Sequence, residues 1–225
     1  MIRENENQVE MADKNLYIVS GGILTERLIS LIQEEDIIIG VDRGAEWLME
    51  HGKVPHYIVG DFDSANPSFL ESAKEKYGDR IQIFPSEKDE TDTELAIHSA
   101  ISLHPKSITV VGAIGTRLDH VLANIHVLLQ AEQQNIPSQI YGTNNRIRLV
   151  LPNRTLQLQK GEYKYVSLLP LTENVQGIEI SGFKYKLSQA TMQIGTPYGI
   201  SNELINDAGI ISIGKGILLV IESKD

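Results

Sequence analysis

No cysteine occurs among the 225 residues. Without cysteine there is no disulfide framework, no thiolate nucleophile and no cysteine-ligated zinc site. No apolar run reaches the ~18 residues that a membrane-spanning helix needs. Residues 1–14 are polar and lack the apolar segment of a signal peptide. We therefore expect a cytoplasmic protein with a disordered lead-in over residues 1–14 and no membrane partner.

Positive charge is also scarce, since 20 Lys and Arg stand against 30 Asp and Glu and the formal net charge is −10. Nucleic-acid surfaces need basic patches, so we expect no nucleic-acid partner. The P-loop, the complete dinucleotide fingerprint and the nucleophile elbow are all missing. The six histidines show no metal-ligand spacing. We expect His120 on the polar face of a helix and His126 at the edge of a core.

Residues 15–143 alternate short apolar strands with helical patterns. Continuous apolar runs are typical of strands that are covered on both faces, so the pattern predicts a parallel sheet in a three-layer α/β domain. Thr25 is a candidate cap for the first helix, with Leu28, Ile29, Leu31 and Ile32 on its buried face. The predicted strands are residues 16–19, 37–41, 57–59, 81–84, 107–111 and 139–141, and the later helices are residues 45–51, 67–77, 91–101 and 118–134.

Residues 144–225 lose the helical periodicity. Short strands separated by Gly, Pro and Asn turns predict an all-β second domain, an antiparallel β-sandwich. The predicted strands are residues 146–151, 155–158, 163–169, 176–180, 189–194, 209–213 and 216–221.

Two aspartates follow the third predicted strand. Asp61 and Asp63 are two residues apart, so in an extended chain their carboxylates point to the same side and repel each other. A divalent cation relieves that repulsion, and Mg²⁺ commonly binds one or two carboxylates together with substrate phosphates. An Asx turn, with Asp63 and Ser64 capping the next helix, is the alternative for this segment by itself.

Acidic residues also recur after other strands of the predicted parallel sheet. Open parallel sheets bind ligands beyond the carboxyl ends of their strands, so these loops should converge on one edge. Acids there would hold a metal, and cations beside them would hold phosphate oxygens. Each cation could equally be a solvated surface charge, and Asp92 could simply cap its helix. The loops contain Gly21 and Gly22, Asp42 and Arg43, Asp61 and Asp63, Lys88, Asp89, Thr91 and Asp92, and Arg117 and Asp119.

The order and spacing of these motifs resemble the thiamine pyrophosphokinase family. Any one motif is weak, but five or six in order along residues 16–222 are specific. The motifs are Asp42-Arg43-Gly44-Ala45, Gly60-Asp61-Phe62-Asp63-Ser64, Lys88-Asp89-Glu90-Thr91-Asp92, Gly115-Thr116-Arg117-Leu118-Asp119-His120, Ser181-Gly182-Phe183-Lys184-Tyr185 and Ser201-Asn202-Glu203.

The resemblance implies an enzyme that pairs an α/β domain for ATP and metal, residues 15–143, with a β-sandwich, residues 144–225, for thiamine binding and dimerisation. Such an enzyme transfers the pyrophosphoryl group of ATP, with Mg²⁺, to the hydroxyl of thiamine and forms thiamine diphosphate and AMP. The family works as a homodimer whose site is shared between subunits.

Site roles follow from the resemblance motif by motif. Metal ligands are expected among Asp61, Asp63, Asp89 and Asp92, and the catalytic group comprises Asp61, Asp63, Asp92 and Asp119. The ATP side comprises Gly21, Gly22, Asp42, Arg43, Lys88, Asp89, Thr91 and Arg117. The thiamine side comprises Tyr185, Ser201 and Asn202, offered by the partner subunit.

Tyr185 occupies a position where family members often carry Trp, and Tyr is the weaker cation–π partner. By its sequence alone, it could be an outward-facing tyrosine on an edge strand. Two other functions remain open at this stage: a phosphatase with an aspartyl nucleophile, which also begins with a strand and Asp-x-Asp, and a non-catalytic nucleotide-binding regulator.

Overall fold

A computed structural model describes residues 11–61, 71, 73, 75–83, 89–196 and 198–225. Asp63, Ser64, Lys88, most of the predicted helix at 67–77 and residues 1–10 of the predicted lead-in lie outside this range. Internal contacts divide the chain into two units between Thr143 and Asn144. The division falls where the strand–helix alternation of the sequence ends.

The first unit contains a parallel sheet in the order β4-β3-β2-β1-β5-β6. The central strands are almost wholly buried, because their continuous apolar runs are covered on both faces. The strands are β1 (Asn15–Val19), β2 (Ile37–Val41), β3 (Tyr57–Gly60), β4 (Ile81–Ile83), β5 (Ser107–Val111) and β6 (Ser138–Tyr141).

The strand order reverses beside β1. From β1 the chain proceeds outward through β2, β3 and β4, and then returns to place β5 on the other side of β1. Open parallel sheets bind ligands beside such a reversal, so the loops that follow β1 and β5 mark the expected ligand site.

Four helices of the first unit are described with the strands: α1 (Glu26–Ile29), α2 (Arg43–Glu50), α3 (Asp92–Ser102) and α4 (Leu118–Gln133), with a 3₁₀ turn at Gly78–Arg80. The helix predicted after Thr25 is much shorter than expected, and the Thr25 side chain makes no capping hydrogen bond. Ser30 is the C-cap, and its hydroxyl donates to the Arg27 carbonyl at 2.7 Å. Ile32 is nonetheless buried, from a turn beyond the helix.

The second unit is a sandwich of two antiparallel sheets, in the orders β7-β13-β9 and β11-β10-β12-β8. Both sheets contribute apolar side chains to one core, among them Val166 and Leu218 from the first and Ile178 and Ile211 from the second. The strands are β7 (Asn145–Val150), β8 (Thr155–Gln159), β9 (Tyr165–Pro170), β10 (Asn174–Ser181), β11 (Leu187–Gln193), β12 (Ala208–Ser212) and β13 (Leu218–Ser223).

The predicted fold class, a parallel α/β sheet followed by an antiparallel β-sandwich, is confirmed. Among the described helices, none combines the length and the apolar character that crossing a bilayer would require.

Candidate active site

A cleft of about 380 Å³ opens at the carboxyl edge of the parallel sheet, above the loops that follow β1 and β5. It is lined by main chain, small residues and polar side chains from the first unit. The lining residues are Ser20, Gly21, Gly22, Val41, Asp42, Thr91, Asp92, Thr93, Gly112, Ala113, Gly115, Thr116, Arg117, His120 and Asn124.

The floor of the cleft is formed by the main chain of the two loops, which are hydrogen-bonded to each other. Ser20 N–H donates to the Val111 carbonyl at 2.9 Å, and Gly22 N–H donates to the Gly112 carbonyl at 2.8 Å. A Cβ at Gly22 would overlap the carbonyl oxygens of Gly112 and Ile114. Gly112 itself has φ +68, where glycine carries no steric penalty. Glycine at these two positions therefore allows the two loops to pack together.

Two side-chain hydrogen bonds tie this floor to the helices. The hydroxyls of Ser20 and Thr93 are 2.8 Å apart, which links the loop after β1 to the first turn of α3. Asn124 in α4 donates from Nδ2 to the Ala113 carbonyl at 2.9 Å. Both loops are thus held by side chains as well as by each other.

Three aspartates converge beside the cleft. Asp42 follows β2, Asp61 follows β3 and Asp92 begins α3, and one oxygen of each lies within 4.8 Å of the other two. All three are half-buried. Two full charges at that separation repel by about 3 kcal/mol at an effective dielectric of about 20. A set of carboxylate oxygens is the donor chemistry that Mg²⁺ binds, so these residues fit a divalent cation.

Asp42 is held in a strained backbone conformation, with φ 44 and ψ −120. Its N–H donates to the Val59 carbonyl at 3.1 Å, which fixes it against β3. A Cβ at Gly60 would overlap Asp42 Oδ1, so glycine at this position leaves room for the carboxylate. Non-glycine residues at positive φ are maintained only where surrounding contacts impose them, and such strain concentrates at functional sites.

The other predicted acids and cations that the structure describes in this unit lie nearer the surface. Arg117 lines the cleft and donates from a terminal nitrogen to Asp119 at 2.6 Å, in an exposed pair. That hydrogen bond lowers the pKa of the Asp119 carboxyl. Asp119 itself is not among the lining residues. Arg43, the first residue of α2, and Asp89 are exposed.

Thr91, predicted on the ATP side, is the N-cap of α3. Its hydroxyl oxygen accepts a hydrogen bond from Glu94 N–H at 3.2 Å. The same hydroxyl retains its hydrogen for donation, so capping and ligand binding are compatible.

The three residues predicted for the thiamine side differ in their exposure to solvent. Tyr185 is 61% exposed and lies between β10 and β11, not within an edge strand. Ser201 is exposed and has a left-handed backbone conformation with φ 58. Its N–H donates to Ser167 Oγ at 3.1 Å. Asn202 is only 7% exposed and bonds the main chain of Tyr185.

Family models match both units. The thiamin pyrophosphokinase catalytic domain matches residues 28–140, and the thiamin pyrophosphokinase vitamin B1 binding domain matches residues 153–218. Thiamine pyrophosphokinase of Bacillus subtilis (strain 168) is 35% identical over 215 residues, which cover 94% of this chain and 100% of that protein. The chain belongs to the thiamin pyrophosphokinase family.

Solved structures of thiamine pyrophosphokinases share its fold. The crystal structure from B. subtilis matches with a TM-score of 0.86 at 34% identity, over 94% of this chain and 100% of that one. That from Geobacillus thermodenitrificans matches with a TM-score of 0.83 at 35% identity, over 94% and 98%. The predicted family is confirmed, and neither the phosphatase nor the regulator is favoured by these relatives.

Several residues that line the cleft were not predicted from the sequence as site residues. His120, expected on a polar helix face, lines the cleft together with Asn124 four positions later. An i, i+4 pair lies on one face of a helix, so the spacing was available as a signal. Ser20 and Thr93 carry no comparable pattern, because they meet only through the folding of the sheet.

Proposed function

We propose that this protein is a Mg²⁺-dependent thiamine pyrophosphokinase that transfers the pyrophosphoryl group of ATP to the hydroxyl of thiamine, with thiamine diphosphate and AMP as products. The observation that carries the proposal is the convergence of Asp42, Asp61 and Asp92 beside a main-chain-lined cleft, in a chain of this family. Transfer of a phosphoryl-type group depends on positioning and charge neutralisation more than on covalent catalysis, and a cation held by these aspartates would supply both.

Asp42, Asp61 and Asp92 are the proposed metal ligands. The sequence places Asp63 and Asp89 in the same two loops as Asp61 and Asp92, so they are proposed as further ligands, directly or through water. Magnesium keeps several waters and binds one or two carboxylates with substrate phosphates, so five aspartates need not all touch it. An ion held there would offset the negative charge of the phosphates.

ATP is proposed to bind along the main-chain floor. Gly21 and Gly22 line the cleft, and glycine lets a main chain approach a ligand closely. Arg117 at the cleft, with Arg43 and Lys88 from neighbouring loops, would offset charge on the phosphates and on the leaving AMP. Thr91 would donate its hydroxyl hydrogen.

An aspartate is proposed to orient the thiamine hydroxyl or accept its proton. Of Asp92 and Asp119, Asp92 is the better placed, because it lines the cleft. One of its carboxylate oxygens would hold the metal, and the other would face the hydroxyl. Asp119 is bonded to Arg117, and the lowered pKa of its carboxyl makes it a weak base. We therefore propose that Asp119 acts by holding Arg117.

The second unit is proposed to bind thiamine through Tyr185 and Ser201, both exposed, with Asn202 beneath them. The match of residues 153–218 to a vitamin B1 binding domain supports this assignment. We further propose a homodimer in which the β domain of one subunit completes the site of the other, as the family resemblance implies.

The test is AMP formation from ATP with and without thiamine. We expect AMP only when both thiamine and Mg²⁺ are present, and none after treatment with EDTA. Thiamine monophosphate, whose hydroxyl is blocked, is the matched control and should give no AMP. Phosphate release from aryl phosphates without AMP would support the phosphatase instead, and ATP binding without turnover would support the regulator.

The cytoplasmic location predicted from the sequence stays a prediction, and fractionation of the source cells with an antibody to this chain would test it.

A further inference from the structure

Tyr185 presents an exposed ring from a segment with little regular structure. It lies four residues after the end of β10 and two residues before the start of β11. Its side chain is 61% exposed, while Phe183 two residues earlier is 1% exposed and anchors the segment in the sandwich core. An exposed ring binds a ligand well only if its backbone is fixed, since ordering it on binding costs free energy.

Asn202 fixes that backbone from below. Its Nδ2 donates to the Tyr185 carbonyl at 2.7 Å, and its Oδ1 accepts from Tyr185 N–H at 3.0 Å. Oδ1 also accepts from Glu203 N–H at 2.9 Å. The amide therefore pairs with Tyr185 as a neighbouring strand would, and it satisfies both main-chain groups of a residue that lies outside any strand.

Asn202 is in turn held by the sandwich. Its main chain exchanges two hydrogen bonds with Val166 in β9, at 2.7 Å and 2.9 Å. Lys184 N–H donates to the Glu203 carbonyl at 2.9 Å, beside the contact with Tyr185. Asn202 thus connects β9 to the segment that carries the ring.

We propose that Asn202 is a positioning residue for thiamine binding, which acts through the main chain of Tyr185 and does not touch the substrate. The inference rests on the proposed function. Asn202 is 7% exposed, and both ends of its amide are engaged in hydrogen bonds within the protein. The ring that it holds suits an aromatic, cationic ligand, because Tyr offers a face for stacking and for cation–π attraction.

Asn202→Asp is the most specific test variant, because the aspartate side chain has the same shape as asparagine. The carboxylate still accepts from the two N–H groups, but it cannot donate to the Tyr185 carbonyl and sets a negative oxygen against it. We expect the thiamine KM to rise about five- to thirty-fold, the range of a lost aromatic contact. The ATP KM and kcat should change less than twofold. Asn202→Ser, which is smaller and uncharged, should raise the same KM if the aspartate variant does not fold.

The double variant Tyr185→Ala with Asn202→Asp separates positioning from direct contact. If Asn202 acts through the ring, the double variant should have the thiamine KM of Tyr185→Ala alone, because the effects are not additive. Asn206→Asp, an exposed neighbour, is the matched control and should behave as wild type.

Three outcomes would overturn the inference. An unchanged thiamine KM in both Asn202 variants would show that positioning is unimportant. Additive effects in the double variant would show that Asn202 acts independently of the ring. Absence of thiamine-dependent AMP formation in the wild type would overturn the proposed function and this inference together, and so is distinguishable from the first two.

Discussion

Asp42 combines backbone strain with charge repulsion at one residue. Its φ of 44 is unfavourable for a residue with a side chain, and its carboxylate lies within 4.8 Å of those of Asp61 and Asp92. Both features lower the stability of the metal-free protein. A metal ion would recover the electrostatic part, so stability and metal binding are linked through this residue.

At the residue scale, Asp42→Asn and Asp61→Asn should each lower kcat at least about 100-fold, the scale of removing one electrostatic contact to the reacting group. Each should also raise the thermal midpoint of the metal-free protein, by about 2–4 °C per kcal/mol of repulsion removed. Asn tolerates positive φ, so the backbone at position 42 is kept. Asp207→Asn, exposed in the second unit, is the control. Wild-type turnover in either cleft variant would contradict the metal assignment.

At the scale of elements, the loops after β1 and β5 act as one structure. Hydrogen bonds at Ser20, Gly22 and Ile23 join them, and their close contact leaves no room for a side chain at Gly22. Neither loop can shift without the other, so we expect a substitution in one loop to displace the main chain of both.

Gly22→Ala should therefore force the two loops apart. We expect it to destabilise the protein by about 1–3 kcal/mol, the usual cost of overpacking, and to raise the ATP KM. Gly115→Ala is the matched control for stability, because its new Cβ would lie 3.8 Å from Gly22 Cα, an ordinary contact. Thermal unfolding of both variants is the measurement, and equal midpoints would show that the loops separate at no cost.

At the scale of the whole molecule, the proposed shared site can be tested by subunit exchange. Asp61→Asn would inactivate the acidic part of a site, and Tyr185→Ala would weaken its thiamine part. In a mixed dimer one of the two shared sites contains neither change. After complete exchange, activity at low thiamine should reach about a quarter of wild type, because half of the dimers are mixed and each has one intact site.

Sedimentation must first show a dimer and verified exchange. If the mixture gives no more activity than the two parents, each site is built within one chain. Such a result would leave the roles of Asp61 and Tyr185 intact and remove only the shared arrangement.

Sequence patterns predicted the fold well because β1, β2 and β5 are continuous apolar runs that only a covered parallel sheet can bury. The convergence of Asp42, Asp61 and Asp92 was predictable for the same reason, since parallel strands end at one edge. The short α1 was not, because the apolar pattern continues to Ile32 while the helix ends at Ile29.

The contact of Asn202 with Tyr185 could not be predicted from the sequence either. The two residues are 17 apart, and no periodicity links them. The motif predicts a residue that touches the substrate, whereas its burial and hydrogen bonds support the proposal that it positions Tyr185. Side-chain to main-chain bonds of this kind depend on where loops cross, which local propensity does not encode.

The joined loops of the cleft also have a consequence for how the chain folds. Ser20 bonds Val111 and Gly22 bonds Gly112, so the two partners are about 90 residues apart along the chain. A nascent chain that has been synthesised only as far as β4 still lacks the loop after β5, which forms the second half of the cleft floor. Contacts of such long range form late and slow the folding rate. We expect pulse-labelled hydrogen exchange during refolding to show the Gly22 amide gaining protection only with β5, after the amides of α2 and α3.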